Sequence, residues 1–253
     1  MGVLDLTSPM RAFDIELSGL CAGHSASTYL REVDWQVLPG QRVGLVGPNG
    51  AGKTTLFLTL AGVLPPKSGR AIVGGMDLSD QASRRKVAGV LGLVMQDPDD
   101  QLLETSVWDD IALGPTCQGL LPGEVKSRVE SAIAATGLEA HVDRVPQRLS
   151  VGEKKRVALA GVLARQPDII LLDEPTAGLD PRGRRELIQL LKGLSSTLVI
   201  ATHDLELVLD LCHQATLLDA GRLVKTGHPA TLLADAALME PHGLEVPWPL
   251  RPR

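Results

Sequence analysis

The chain has 253 residues, of which 44% are hydrophobic and 22% charged, a composition that excludes wholesale disorder and permits a large buried core. Its formal net charge of −5 argues against a dedicated nucleic-acid binder, because such proteins usually carry a basic excess. No apolar run reaches the ~18 residues of a membrane span, and the start MGVLDLTSPM lacks a signal-peptide pattern. We therefore expect a soluble cytoplasmic protein without nucleic-acid partners.

Strand and helix patterns alternate along most of the chain. The first, Tyr29–Leu45, alternates polar and apolar residues and predicts an antiparallel hairpin at a sheet edge. Apolar strands are predicted at Arg42–Gly47, Val90–Gln96, Asp168–Asp173 and Thr197–His203, and helices at Lys53–Ala61, Arg182–Gly193 and Leu205–Cys212. Strands that are apolar nearly throughout suit a parallel sheet covered on both faces. The pattern therefore predicts an α/β fold with a parallel-sheet core and an antiparallel β edge.

The pattern changes in the middle of the chain, where Glu124–Leu138 and Gly152–Pro167 are amphipathic and helical, with no convincing strand between them. We interpret residues 97–166 as a helical subdomain inserted into a single domain that spans 1–253. The α/β core then comprises 12–96 and 167–229. A late hairpin is predicted over Leu217–Pro229, turning at Ala220-Gly221. Residues 230–253 form a tail, and its proline-rich end VPWPLRPR is expected to be loosely held.

A glycine-rich loop follows the first apolar strand and opens a helix. It matches G-x-x-x-x-G-K-[ST], the P-loop motif, in which backbone N–H groups surround phosphate, Lys53 contacts the β- and γ-phosphates and Thr54 offers a hydroxyl to Mg²⁺. A glycine-rich surface turn is the alternative. We expect a P-loop NTPase core whose ATP-binding residues are Gly47, Pro48, Asn49, Gly50, Ala51, Gly52, Lys53, Thr54 and Thr55.

A second group of polar residues follows two other predicted strands. Asp173 and Glu174 end the run DIILLD-E, and His203 follows TLVIAT. Asp173 is positioned to hold Mg²⁺ and Glu174 to activate the attacking water as a general base, so the pair favours hydrolysis over simple binding. His203 is expected at the carboxyl edge of the sheet, where ligands of such sheets gather.

A third motif, Ser150-x-x-Glu153 in QRLSVGEKKRV, fits a capping box. A helix that starts there directs free N–H groups and the positive end of its dipole toward whatever lies in front of it. The sequence thus predicts a helix start suited to meeting an anion.

Taken in order, GPNGAGKT, Gln96, LSVGE, IILLDEP, GLD and His203 resemble the ATP-binding cassette (ABC) family over residues 15–228. The resemblance implies a dimer in which ATP lies between the P-loop of one subunit and Ser150, Gly152 and Asp180 of the other. A homodimer and a dimer with a paralogue both remain open. It also implies that His203 contacts the γ-phosphate and that Gln96 senses Mg²⁺ and water and connects to a membrane subunit.

Two positions depart from the family pattern. Val151 stands where the family's signature LSGG has its first glycine. Valine can be accommodated there if its side chain points outward from the first helical turn. We adopt this interpretation because the capping-box residues Ser150 and Glu153 are both present. The aromatic residue that usually stacks on adenine is absent. His24 is the candidate replacement and Tyr29 the other ring nearby, with a surface-loop histidine as the alternative interpretation of His24.

The run MQDPDDQLLETSVWDDIALGP resembles the ATPases of energy-coupling factor importers, which take up cobalt, nickel or vitamins. This implies a membrane-embedded coupling subunit, a solute-binding membrane component and a peripheral position on the cytoplasmic side of the membrane. The acidic residues of this run form either a docking site for basic helices of the partner or a solvated face. They are Asp97, Asp99, Asp100, Glu104, Asp109 and Asp110. A non-transport ABC-type ATPase acting as a nucleotide-dependent switch is the alternative function.

Overall fold

The computed structural model describes residues 14–23 and 30–251. Its strands are β1 (Ile15–Ala22), β2 (Leu30–Val37), β3 (Arg42–Val46), β4 (Ser68–Val73), β5 (Met76–Asp77), β6 (Leu91–Val94), β7 (Ile169–Asp173), β8 (Thr197–Ala201), β9 (Gln214–Asp219) and β10 (Arg222–Gly227). Its helices are α1 (Lys53–Leu60), α2 (Gln81–Val87), α3 (Val107–Cys117), α4 (Pro122–Thr136), α5 (Val151–Ala164), α6 (Pro181–Lys192), α7 (Leu205–Leu211), α8 (Pro229–Leu233) and α9 (Ala236–Met239).

The central sheet has the strand order β10-β9-β3-β8-β7-β6. Strands β3, β8, β7 and β6 run parallel to their neighbours, as the apolar runs predict. In β7, Ile169 and Leu171 pack on one face of the sheet while Ile170 and Leu172 pack on the other. Burial on both faces explains why this strand is apolar throughout.

The hairpin predicted over 29–45 is wrong in its pairing. Strand β2 pairs antiparallel with β1, whereas β3 lies in the central sheet between β8 and β9. The physical reason is burial: β2 alternates buried and exposed residues, while Val43, Leu45 and Val46 of β3 are all buried and need cover on both faces. The turn at Pro39-Gly40 therefore connects two sheets.

A second, antiparallel sheet has the order β2-β1-β4-β5. Helix α1 lies between the two sheets: its Leu56, Phe57 and Leu60 share one hydrophobic cluster with strands of both. Most of the other helices pack in a second cluster on the opposite face of the central sheet. The P-loop helix α1 is therefore fixed from two sides.

The middle of the chain is helical, with α3, α4 and α5 packed against one another between β6 and β7. The sequence predicted α4 and α5 but not α3. Helix α3 includes Gly114 and Pro115, residues that disfavour helix interiors, and tertiary packing of its buried Val107 and Ile111 overrides them.

The chain ends in a hairpin and two short helices. Strands β9 and β10 pair antiparallel around Ala220-Gly221, as predicted. The region predicted as a tail contains α8 and α9, whose Leu232, Leu233 and Met239 are buried. Its proline-rich end is only partly loose, because Pro247 is buried and Leu250 packs against the core.

Candidate functional site

The loop between β3 and α1 is shaped by close approaches of the backbone. A Cβ added to Gly47 would collide with the carbonyl oxygen of Leu218, and Gly52 adopts a left-handed φ of 108°. Gly52 is the N-cap of α1, and no side chain caps this helix. The first N–H groups of α1 thus remain available as donors to an anion, as the motif predicts.

Lys53 begins α1 and is only 8% exposed. Its Nζ donates to the carbonyl oxygen of Gly47 at 2.6 Å and to that of Pro48 at 3.1 Å. Burial lowers the pKa of Lys53, although the carboxylates of Glu174 and Asp173 oppose the shift. The loop is therefore wrapped around a buried ammonium group, a suitable contact for phosphate oxygens.

Thr54 and Asp173 come together at the mouth of the loop. The Thr54 hydroxyl donates to Asp173 Oδ2 at 2.9 Å. Burial raises the pKa of the Asp173 carboxyl, and the neighbouring Glu174 charge raises it further against the Thr54 hydrogen bond. A cation would relieve this cost, and a carboxylate with a hydroxyl is the oxygen-donor set that Mg²⁺ prefers when phosphates complete its shell. Over 14–23 and 30–251 no group of three or more His, Cys, Asp or Glu residues could hold a metal by itself.

Glu174 is 6% exposed and adopts a left-handed φ of 46°. Its carboxylate accepts a hydrogen bond from the Thr202 hydroxyl at 3.1 Å and one from the His203 N–H at 3.1 Å. The His203 Nδ1 lies 2.8 Å from Glu174 Oε2, and the imidazole is 70% exposed. The structure thus brings together the predicted base and the predicted γ-phosphate contact.

Gln96 is exposed just after β6. It lines a cavity of about 590 Å³ together with Thr54, Asp173 and Lys155. The loop glutamine is therefore placed at the same opening as the predicted Mg²⁺ ligands.

The capping box predicted at the start of α5 is confirmed. The Ser150 N–H donates to Glu153 Oε2 at 2.8 Å, and the Glu153 N–H donates to Ser150 Oγ at 3.4 Å. Hydrogen bonds from Ser150 lower the pKa of Glu153. Val151 is the first residue of the helix and is 52% exposed, which agrees with an outward side chain.

Ser150 lies at a different opening from the P-loop residues, in a cleft of about 880 Å³ lined also by Gly152 and Asp180. Asp180 caps α6, accepting from the Gly183 N–H at 2.6 Å. The three residues predicted to contact ATP held by a second subunit thus share one cleft. His24 and Tyr29, the candidates for stacking on adenine, lie outside the described residues.

Sequence reasoning missed two cations that contact the site. Lys155 donates to the Glu174 carbonyl oxygen at 2.7 Å, and Arg184 makes a two-point contact with Asp204, the neighbour of His203, at 2.8 and 3.1 Å. One signal was available: Lys155 lies three and four residues before the buried Ala158 and Leu159, so helical spacing puts it on the buried face of α5.

The family model described as ABC transporter matches residues 30–177. A putative ABC transporter ATP-binding protein of Synechocystis is 48% identical over 223 residues, which cover 88% of this chain and 77% of the relative. The energy-coupling factor transporter ATP-binding protein EcfA of Methanocaldococcus jannaschii is 41% identical over 222 residues, covering 86% and 80%.

Solved structures show the same fold. CbiO1 of Clostridium perfringens, described as part of the ABC transporter complex CbiONQ, superposes with a TM-score of 0.80 at 36% identity, covering 89% of this chain and 92% of CbiO1. In the part of the chain that the structure describes, no helix is both long and apolar enough to cross a membrane. With the family match, the relatives and the buried P-loop lysine in agreement, this chain belongs to the ABC transporter family as an ATP-binding, ATP-hydrolysing subunit.

Proposed function

We propose that this chain drives an importer of the energy-coupling factor type, for cobalt or nickel ions or for a vitamin. The observation that carries the proposal is the joint similarity to EcfA and to CbiO1, over 86% and 89% of this chain. The chain would work at the cytoplasmic face of the membrane, bound to a membrane-embedded coupling subunit. A separate membrane component would bind the solute.

The residues of one subunit would divide the work of binding and hydrolysis. Lys53 and the N–H groups of the P-loop bind the phosphates, and Thr54 and Asp173, with Gln96 nearby, would hold Mg²⁺, which neutralises phosphate charge when bound. Glu174 accepts a proton from the attacking water. His203 hydrogen-bonds Glu174 while its imidazole remains exposed toward the place of the γ-phosphate.

A second subunit would complete the site. Ser150 and Gly152 lie at the start of α5, in a cleft that no P-loop residue of their own chain lines, which supports contact with ATP held by a partner. Asp180 lies in the same cleft and would cross the dimer interface. ATP then favours the closed dimer because it gains contacts with both subunits, and hydrolysis removes the γ-phosphate contacts and lets the dimer reopen.

Glu174→Gln tests this mechanism. We expect turnover to fall by about 100-fold or more, because the amide cannot accept the proton, while ATP binding persists and ATP-dependent dimers accumulate. Purified-protein ATPase assays and light scattering with and without ATP and Mg²⁺ measure both effects. A variant that hydrolyses ATP at the wild-type rate removes Glu174 from the mechanism. A variant that stays monomeric with ATP, even beside its membrane partner, contradicts the shared site.

Fewer acidic residues are free to dock a membrane subunit than the sequence indicates. Asp110 is buried and accepts from the Leu103 N–H, and Asp99 is paired with Lys154 at 2.6 Å, so neither is a free landing charge. Asp97, Asp100 and Asp109 are exposed and remain as the main acidic candidates, and Glu104 is half-buried.

Charge reversal tests this face. Asp100→Lys should weaken co-purification with the membrane complex by about tenfold, because a basic partner helix would meet a like charge, and should leave the ATPase rate of the isolated subunit unchanged. Glu130→Lys, an exposed reversal on α4, is the matched control. Undiminished assembly of the Asp100→Lys protein would show that the acidic run is a solvated face.

A further inference from the structure

Lys155 is a buried cation that the mechanism above does not use. It lies in the second turn of α5 and is 8% exposed. Its Nζ donates to the main-chain carbonyl oxygen of Glu174 at 2.7 Å and lies 3.4 Å from that of Pro175. Its neighbour Lys154 points elsewhere and pairs with Asp99, whose side chain is 55% exposed.

The contact falls on a strained part of the backbone. Glu174 has a left-handed φ of 46°, a conformation that is unfavourable for a non-glycine residue and that contacts with the surrounding structure must offset. On one side of the residue, the Glu174 N–H donates to the Ala201 carbonyl oxygen at 2.8 Å. On the other side, Lys155 takes the Glu174 carbonyl oxygen. The two contacts fix the peptide planes on either side of the Glu174 side chain.

A buried ammonium group is expensive, and this one is not placed for a direct ion pair. Burial lowers the pKa of Lys155, opposed by the carboxylates of Glu174, Asp173 and Asp97. Its ammonium group donates instead to main-chain carbonyl oxygens, so the side chain fixes the backbone of Glu174 and Pro175. Removing it would leave the buried Glu174 carbonyl without this donor.

We propose that Lys155 is the positioning residue for Glu174, and that it ties the general base of one site to the helix start that serves the other. The proposal rests on the role of Glu174 proposed above. Ser150 begins the same helix five residues earlier, so the side chain of Lys155 connects the Glu174 backbone to the helix whose start would face a partner's nucleotide.

Lys155→Met in the full chain is the first test. We expect kcat to fall about 30-fold, because a small displacement of the base is costly, while KM for ATP changes less than threefold because the P-loop is untouched. Lys155→Arg, which keeps a charged donor, should recover kcat to within about fivefold of wild type. Lys154→Met, the adjacent substitution, is the control and should leave both constants within about twofold. Wild-type kcat in Lys155→Met, or an equal loss in Lys154→Met, overturns the proposal.

A second measurement separates positioning from general damage. In single-turnover assays, adding Lys155→Met to Glu174→Gln should lower the residual rate less than threefold, because a residue that acts through Glu174 has nothing left to position. A further loss of about 30-fold in that background means that Lys155 acts elsewhere. If Glu174→Gln itself turns over normally, the proposed base is wrong, a result distinct from any failure of Lys155. Should Lys155→Met fail to fold, Lys155→Gln takes its place, and a wild-type kcat there is equally contradictory.

Discussion

The nucleotide-binding core and the start of α5 carry the two halves of the proposed site in opposite ways. Lys53, Asp173 and Glu174 are 8%, 6% and 6% exposed, each held by partners inside the chain. Ser150 is exposed, and Val151 beside it is 52% exposed. The core half is held by contacts within one chain, whereas the α5 half is exposed, and the N–H and hydroxyl of Ser150 bond only to Glu153 of its own cap. In the proposed dimer, the second subunit would cover this surface.

The pKa values of carboxyl groups also differ between the two regions. Burial raises the pKa of Asp173, so the core holds a carboxylate whose charge is costly until a cation arrives. Hydrogen bonds from Ser150 lower the pKa of Glu153, so the start of α5 is satisfied locally without a ligand. The core therefore contains a carboxyl group whose pKa is raised, whereas the carboxyl group at the start of α5 has its pKa lowered by its own cap.

Lys53→Ala breaks the core half most severely. Removing a buried ammonium group that faces the phosphates should weaken ATP binding by about 100-fold, measured by titration calorimetry. Lys126→Ala, on the exposed face of α4, is the control and should bind ATP normally. ATP affinity within threefold of wild type in Lys53→Ala would mean that the P-loop does not depend on its lysine to bind ATP.

Arg184→Leu tests whether polar groups in the core depend on partners within the chain. Arg184 contacts Asp204 at 2.8 Å, and their side chains are 27% and 21% exposed. Leaving Asp204 without its cation should lower the free energy of unfolding by about 1–2 kcal/mol near neutral pH, as measured by urea denaturation. Arg182→Leu is the control, because its ion pair with Glu186 is largely solvent-exposed and should contribute nothing measurable.

The same variant carries a pH dependence with a defined sign. Although burial alone would raise the pKa of Asp204, hydrogen bonds from Arg184 and the Leu207 N–H lower it. Because the pKa of Asp204 is lower in the folded protein than in the unfolded chain, where it is ~3.9, the ionised group stabilises the fold at pH values above ~3.9. This stabilisation is lost as the pH falls through the pKa of the folded protein. The difference between wild type and Arg184→Leu should therefore shrink below about pH 4. A difference that grows in acid would contradict the ion pair as its source.

How much the sequence reveals depends on whether a feature is local. The apolar run of β7 and the capping box at Ser150 are set by neighbouring residues, and both are confirmed. The partner of β2 is not local, and its predicted pairing with β3 is wrong because burial of both faces decides where β3 goes. Helical spacing places Lys155 on the buried face of α5, but its contact with Glu174 joins residues 19 apart in the chain, and no local pattern identifies that partner.

Val151→Gly has the smallest expected effect and changes the start of α5, where Val151 lines both clefts. The valine occupies the first helical position with an outward side chain, and the capping box is made by Ser150 and Glu153 without it. Glycine there would loosen the first turn by about 1 kcal/mol at most, so the ATPase rate should change less than tenfold. Steady-state turnover of the full chain measures it, with Val145→Gly, another exposed valine, as the control. A hundredfold gain in ATP turnover would mean that the valine side chain blocks the approach of a phosphate held by the partner, so that the natural helix start supports hydrolysis poorly.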